Sequence, residues 1–128
     1  MSKSTTFEFG EFKTGYFVAW NITSQCMNTG NVKITCGGKT LVSADKSSKS
    51  TNLTMLSQGS ATLSAGTVVV TVTINETTVE LKNSKTGGAI LDNAGRKVGY
   101  VYDVCIEDST DDDYNDIYIN LVGWERKG

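Results

Sequence analysis

Hydrophobic and polar residues alternate with a period of two along most of this chain. The clearest run is Val68-Val69-Val70-Thr71-Val72-Thr73-Ile74. Val68, Val70, Val72 and Ile74 fall on one side of an extended backbone, with Val69, Thr71 and Thr73 on the other. Val98, Tyr100, Tyr102, Val104 and Ile106 repeat the pattern. The same reading predicts strands near 6–12, 15–21, 31–36, 51–56, 60–63, 67–74, 78–82, 98–106 and 115–122. Thr, Val, Ile and aromatic residues dominate these runs, as suits a pleated, half-buried surface. Two stretches read as polar loops, 43–50 and 86–97, the second carrying Gly87-Gly88 and Asn93-Ala94-Gly95. No segment has the period of a long helix. The expected fold class is all-β: a single-domain antiparallel β-sandwich of about nine strands over 1–128.

Size and charge narrow the functional classes. A chain of 128 residues buries roughly two-thirds of its extended-chain surface. A net charge of −2 leaves no basic footprint for nucleic acid. No apolar run approaches the ~20 residues of a membrane span, so no membrane insertion is expected. Met1-Ser2-Lys3-Ser4-Thr5-Thr6 has no apolar signal-peptide core. The expectation is cytoplasmic synthesis, with release or cell-surface association by a route the sequence does not show. Cys26, Cys36 and Cys105 are an odd count at no metal-ligand spacing. They read as reduced, partly buried thiols, with a Cys26–Cys36 bridge as the alternative.

Candidate chemistry concentrates in one place. Seven of the fourteen acidic residues lie between Asp103 and Asp116. So many carboxylates repel one another unless a cation sits among them. The chain has no His, and an oxygen-only donor set favours a hard ion, calcium before others. Asp111, Asp113 and Asn115 alternate, Asp116 follows at once and Glu107 lies just upstream. An EF-hand is excluded: counted from Asp111, position six is Asp116 where Gly is needed, and position twelve is Val122 where Glu is needed. The run Ile117-Tyr118-Ile119-Asn120-Leu121-Val122 that follows is a strand, not an exiting helix. The plain alternative is a solvated acidic loop.

The run Glu107-Asp108-x-Thr110-Asp111-x-Asp113-Tyr114-Asn115-Asp116, followed by an apolar strand, a Trp and a terminal Gly, resembles the calcium-mediated fucose/mannose-binding bacterial lectins. The Gly15…Asn21 opening strand and the serine- and threonine-rich middle strands match that family in pattern. The resemblance implies a compact nine-stranded sandwich with two calcium ions per subunit. One ion would be held by Glu107, Asp111, Asp113 and Asp116. The other would be held by Asp113, Asn115 and Asp116 with a backbone carbonyl from the region of Asn21. A mannose- or fucose-type sugar would place a vicinal diol on the ions, contacting Asp111, Asp113 and Asp116, and Asp108 would accept a hydrogen bond from it. The family's specificity loop would fall on Ile22-Thr23-Ser24. Ile22 there departs from the usual small polar residues and leans the preference towards mannose. The carboxylate of Gly128 would reach a calcium of the neighbouring subunit, giving a homodimer or tetramer. Glu125-Arg126-Lys127 makes the tail more charged than is usual in that family.

Three functions compete at this point. The first is calcium-dependent carbohydrate binding, with a mono- or oligosaccharide as partner. The second is an enzyme. The absence of His removes a Ser–His triad and a His base, no Gly-rich phosphate loop precedes a helix, and the carboxylates are too dense for a separated acid–base pair. The third is a module whose calcium only stiffens a loop. Trp20 and Trp124 read as core or interface residues before sugar platforms, and Tyr114 as a residue that orients the acidic loop.

Overall fold

In the computed structural model, residues 2–108, Tyr114 and 116–128 are described. Nine strands run in order: β1 (Ser2–Phe9), β2 (Phe17–Ser24), β3 (Gly30–Cys36), β4 (Lys39–Lys46), β5 (Thr54–Thr62), β6 (Val68–Asn75), β7 (Lys82–Leu91), β8 (Lys97–Glu107) and β9 (Ile117–Trp124). They form a four-stranded sheet in the order β1-β6-β3-β4 and a five-stranded sheet in the order β5-β2-β9-β8-β7. Every pairing is antiparallel. The predicted all-β sandwich is the observed architecture.

The alternation read from the sequence is the packing. Val68, Val70, Val72 and Ile74 of β6 are fully buried, as are Val104 and Ile106 of β8 and Ile119 and Leu121 of β9. They meet Val18 and Ile22 of β2 and Val32 and Ile34 of β3 in one core. Phe9 fills one side of it, edge-on to Tyr102 with ring centroids 4.6 Å apart. All three cysteines are free. The Cys36 thiol donates to the Ala65 carbonyl at 2.8 Å, and Cys26 sits in the loop after β2.

Three elements differ from the pattern reading, each for a physical reason. β4 occupies 39–46, where a loop was expected from 43. It is an edge strand that pairs only with β3 and buries only Ala44 and Lys46, so it carries little apolar alternation for the sequence to show. It is joined to β3 through Gly37 and Gly38, both at positive φ, as a two-residue hairpin turn requires. The predicted strands at 51–56 and 60–63 are one strand, β5. Gly59 within it is a close approach: a Cβ there would lie 2.7 Å from the Trp20 indole. The expected loop at 86–97 is largely β7, which displaces the strand predicted at 78–82. Gly87 is required where β7 passes over the Tyr102 ring, since a Cβ would lie 2.6 Å from it. Only 92–96 turns, held by the Asp92 carboxylate accepting from the N–H groups of Ala94 and Arg96.

Gly99, on β8, gives a test of the packing. A side chain there would run into the Gly123 carbonyl of β9, whereas Gly88 of β7 faces open space. Gly99→Ala is expected to lose about 1–3 kcal/mol of stability and Gly88→Ala less than about 0.5 kcal/mol, as measured by chemical denaturation.

Candidate functional site

Strand ends build the site. β2 pairs with β9 from Phe17↔Trp124 to Ser24↔Ile117, and β8 pairs with β9 up to Ile106↔Ile117. Ser24, Glu107 and Asp116 therefore finish at one end of the sandwich. The Asp116 backbone is clamped there. Its N–H donates to the Ile106 carbonyl at 3.2 Å, and its own carbonyl accepts from the Gln25 N–H at 3.1 Å. The buried Ser24 hydroxyl donates to the same carbonyl at 2.7 Å.

Three buried carboxylates converge at this end. One oxygen from each of Glu107, Asp108 and Asp116 lies within 4.8 Å of the others. The Asp108 N–H donates to Asp116 Oδ2 at 2.8 Å, and the Tyr114 N–H donates to Glu107 Oε1 at 3.0 Å. Tyr114 has φ 55°, a left-handed conformation that a bulky residue adopts only under outside constraint. Asp108 is tied from two further directions. Asn28 Nδ2 donates to its Oδ2 at 2.9 Å, and the Thr77 hydroxyl donates to its carbonyl at 2.9 Å.

The electrostatics are frustrated. Burial pushes the Asp116 carboxyl up to about 8. The Asp108 N–H works against that rise, while the Asp108 and Glu107 carboxylates add to it. Grouped carboxylates out of water require either protons or a cation. Oxygen donors alone, with each of the three side chains also accepting a hydrogen bond from a neighbour, fit a hard divalent ion of the calcium type.

The other expected site residues fall as follows. Asp111, Asp113 and Asn115 lie outside the described residues. Asn21 is within β2, paired with Gln58 on one side and Asn120 on the other, and so away from the acidic group. Its Oδ1 is buried without a hydrogen-bond partner. Ile22, Thr23 and Ser24 are strand, not loop. Ile22 is fully buried in the core, which removes its use as a reason to favour mannose. Thr23 pairs with Met55 and Tyr118. The loop that meets the acidic end begins three residues later, at 25–29, and places Gln25 and Asn28 there. Cys26 packs beneath it, its thiol donating to the Asn28 carbonyl at 3.4 Å. Gly128 is exposed, beyond the opposite end of β9. The eight residues of β9 span about 26 Å.

Asn28 and Thr77 were not singled out from the sequence. Neither has a metal-ligand motif or periodic pattern around it in the sequence. Only the crossing of the two sheets brings either to Asp108.

Fold and site together define an antiparallel β-sandwich with an acidic, cation-suited end. The family described as Fucose-binding lectin II (PA-IIL) matches residues 11–125, and the chain belongs to that family. Solved structures show the same fold. The C-terminal domain of the BC2L-C lectin from Burkholderia cenocepacia superposes with a TM-score of 0.68 at 18% identity, covering 95% of this chain and 97% of that one. The Ralstonia solanacearum high-affinity mannose-binding lectin gives 0.64 at 20% identity, with 91% and 93% covered. The Chromobacterium violaceum lectin CV2L, solved with alpha-methyl-fucoside, gives 0.61 at 18% identity, also with 91% and 93% covered. No curated protein matches significantly.

The raised Asp116 carboxyl predicts a pH dependence. Between the ordinary carboxylate range and about 8, the folded metal-free protein keeps a proton that the unfolded chain has lost. Stability then falls as pH rises through that window. In chelator, the melting temperature is expected to be lower at pH 8 than at pH 5. Asp116→Asn should flatten the difference, as read by scanning calorimetry.

Proposed function

We propose that this protein binds mannose- or fucose-type saccharides through calcium held at the acidic end of the sandwich. The observation that carries this reading is the convergence of three buried carboxylates within 4.8 Å, in a chain of this family. Glu107 and Asp116 would join Asp111, Asp113 and Asn115 as ligands of two ions. Bound calcium would supply positive charge and open coordination positions for a vicinal diol. The chain's own part is orientation. Ser24 and Gln25 hold Asp116 by its carbonyl, and Tyr114 holds Glu107 by an oxygen. Asn28 occupies Asp108 Oδ2, which leaves Asp108 Oδ1 to accept from a sugar hydroxyl. We assign no catalytic step. Three carboxylates grouped with one oxygen of each within 4.8 Å suit a cation rather than an acid and a base held apart across a substrate.

Assembly into a dimer, or a tetramer of two dimers, is part of the proposal. Trp124 stacks on Phe17 and is 37% exposed. The two border a shallow depression of about 510 Å³ on the outer face of the five-stranded sheet, with Asn21, Gln58, Asn120 and Val122. A second copy covering this face would hide the indole. The family resemblance further implies that the Gly128 carboxylate would serve a neighbouring subunit. Glu125–Gly128 can span at most about 14 Å, too little to return along β9 to the chain's own acidic end. A carboxylate at Gly128 therefore reaches such a site only in a partner.

Isothermal calorimetry is expected to show calcium uptake. A hundredfold excess of calcium over its Kd adds about 2.7 kcal/mol of stability, so chelation should lower the melting temperature. Asp113→Ala, at the ligand proposed for both ions, should weaken that dependence. Absence of calcium uptake by the wild-type protein overturns the reading. Methyl mannoside or methyl fucoside should bind with calcium and be released by chelator. Binding that survives chelation, or is confined to galactose, contradicts the mechanism. Extending the chain beyond Gly128 should lower both the mass in solution and the calcium affinity. If neither changes, the sites are closed within one chain.

A further inference from the structure

Outside the acidic group, the turn after β6 is held by several side-chain hydrogen bonds. Thr29, the last residue of the loop before β3, commits its polar groups to this turn. Its N–H donates to Glu76 Oε1 at 2.9 Å. Its hydroxyl donates to the same carboxylate, at 3.0 Å to Oε1 and 3.1 Å to Oε2. That hydroxyl also accepts from Asn75 Nδ2 at 3.0 Å, and the Thr29 carbonyl accepts from the Asn75 N–H at 2.8 Å. Lys49 approaches Glu76 Oε2 at 3.4 Å. One residue on, the buried Thr77 hydroxyl donates to the Asp108 carbonyl. One residue before Thr29, Asn28 donates to the Asp108 carboxylate. The contacts close a ring: Asp108, Asn28, Thr29, Glu76, Thr77 and back to Asp108.

The backbone at Glu76 adds an independent observation. Its φ is 61°, in the left-handed region where glycine is the default. A strained non-glycine persists there when the surroundings over-determine it. What Glu supplies at this position, and Gly cannot, is the carboxylate that Thr29 uses. The Thr29 N–H, first among the causes, holds that carboxyl below its usual range, so it stays charged and acts as a strong acceptor at neutral pH.

We propose that Asn75-Glu76-Thr77 is a strap that sets the sugar selectivity of the acidic site by fixing the Asn28–Thr29 end of the loop against Asp108. The inference rests on the lectin reading above. Glu76 is a positioning residue: it acts through Thr29 and Asn28. A loop pinned at Gln25 by Asp116 and at Thr29 by Glu76 presents Asn28 in one place. A loop freed at Thr29 would let Asn28 leave Asp108 and alter what a sugar meets beside that carboxylate. Selectivity depends on such differences in contact, not on the shared diol chemistry.

The test compares methyl α-D-mannoside and methyl α-L-fucoside by calorimetry in calcium, for wild type, Glu76→Gly and Glu76→Gln. Glycine relieves the left-handed backbone while removing the carboxylate. Its melting temperature and calcium affinity should stay near wild type. The ratio of the two sugar affinities should shift about fivefold, the worth of one hydrogen bond of ordinary strength. Glutamine keeps an acceptor for the Thr29 N–H and should restore most of the wild-type ratio. If wild type binds the sugars and Glu76→Gly leaves both affinities unchanged, the strap is overturned. A parallel fall of both affinities with melting temperature and calcium affinity also overturns it, since that marks a merely structural role. Wild type binding neither sugar removes the lectin reading itself, and the strap's role in selectivity with it.

Discussion

Burying carboxylate charge in one place is the constraint on which the rest of this structure depends. Glu107, Asp108 and Asp116 lose water together at the end of the sandwich. Each loss must be offset by fixed donors, a proton or a cation. The fixed donors are visible, and two are backbone N–H groups, from Asp108 and Tyr114. They do not suffice, because burial still drives the Asp116 carboxyl far above its ordinary range. A site in this condition is primed for a multivalent cation, whose charge reverses the sign of the problem.

The sandwich supplies the rigidity that makes such frustration tolerable. β2, β9 and β8 pair in continuous register to their common end, and a core of Val, Ile and aromatic side chains fixes them from beneath. The acidic side chains come from the five-stranded sheet. Part of what braces them comes from the other: the turn after β6 and the loop into β3 carry Thr77, Glu76 and Thr29. The site is thus a seam between the two sheets. Its geometry responds to how those sheets are packed, as well as to the acidic loop itself.

The opposite end and the outer face carry different chemistry. Trp124, Phe17 and Asn21 line a half-apolar depression, and the charged tail Glu125-Arg126-Lys127 leaves from its edge. The acidic end and this face are spatially separate. Under the proposed function, assembly would multiply the sites without obstructing them, and multivalent contact would strengthen binding without new contacts at each site.

Much of this was legible in the chain. A period of two with β-branched residues forces extended strands with one buried face, and Val68 to Ile74 obeys it residue by residue. The clustering of acidic residues and the lack of His defined the chemistry of the site, because donor type and charge are properties of composition. The errors have a common cause. Gly59 and Gly87 read as turn residues but sit inside strands, because aromatic rings from neighbouring strands occupy the space a side chain would need. Ile22, Thr23 and Ser24 read as a loop, but the register with β9 carries β2 through to Ser24. Asn28, Glu76 and Thr77 gave no signal, since their roles lie in contacts with residues 31 to 80 positions away. Local pattern and composition are written into consecutive residues, so the sequence by itself determined the strand chemistry, the fold class and the concentration of carboxylates at one place. Which loops brace that site depends on how two sheets cross, and only the tertiary structure decided it.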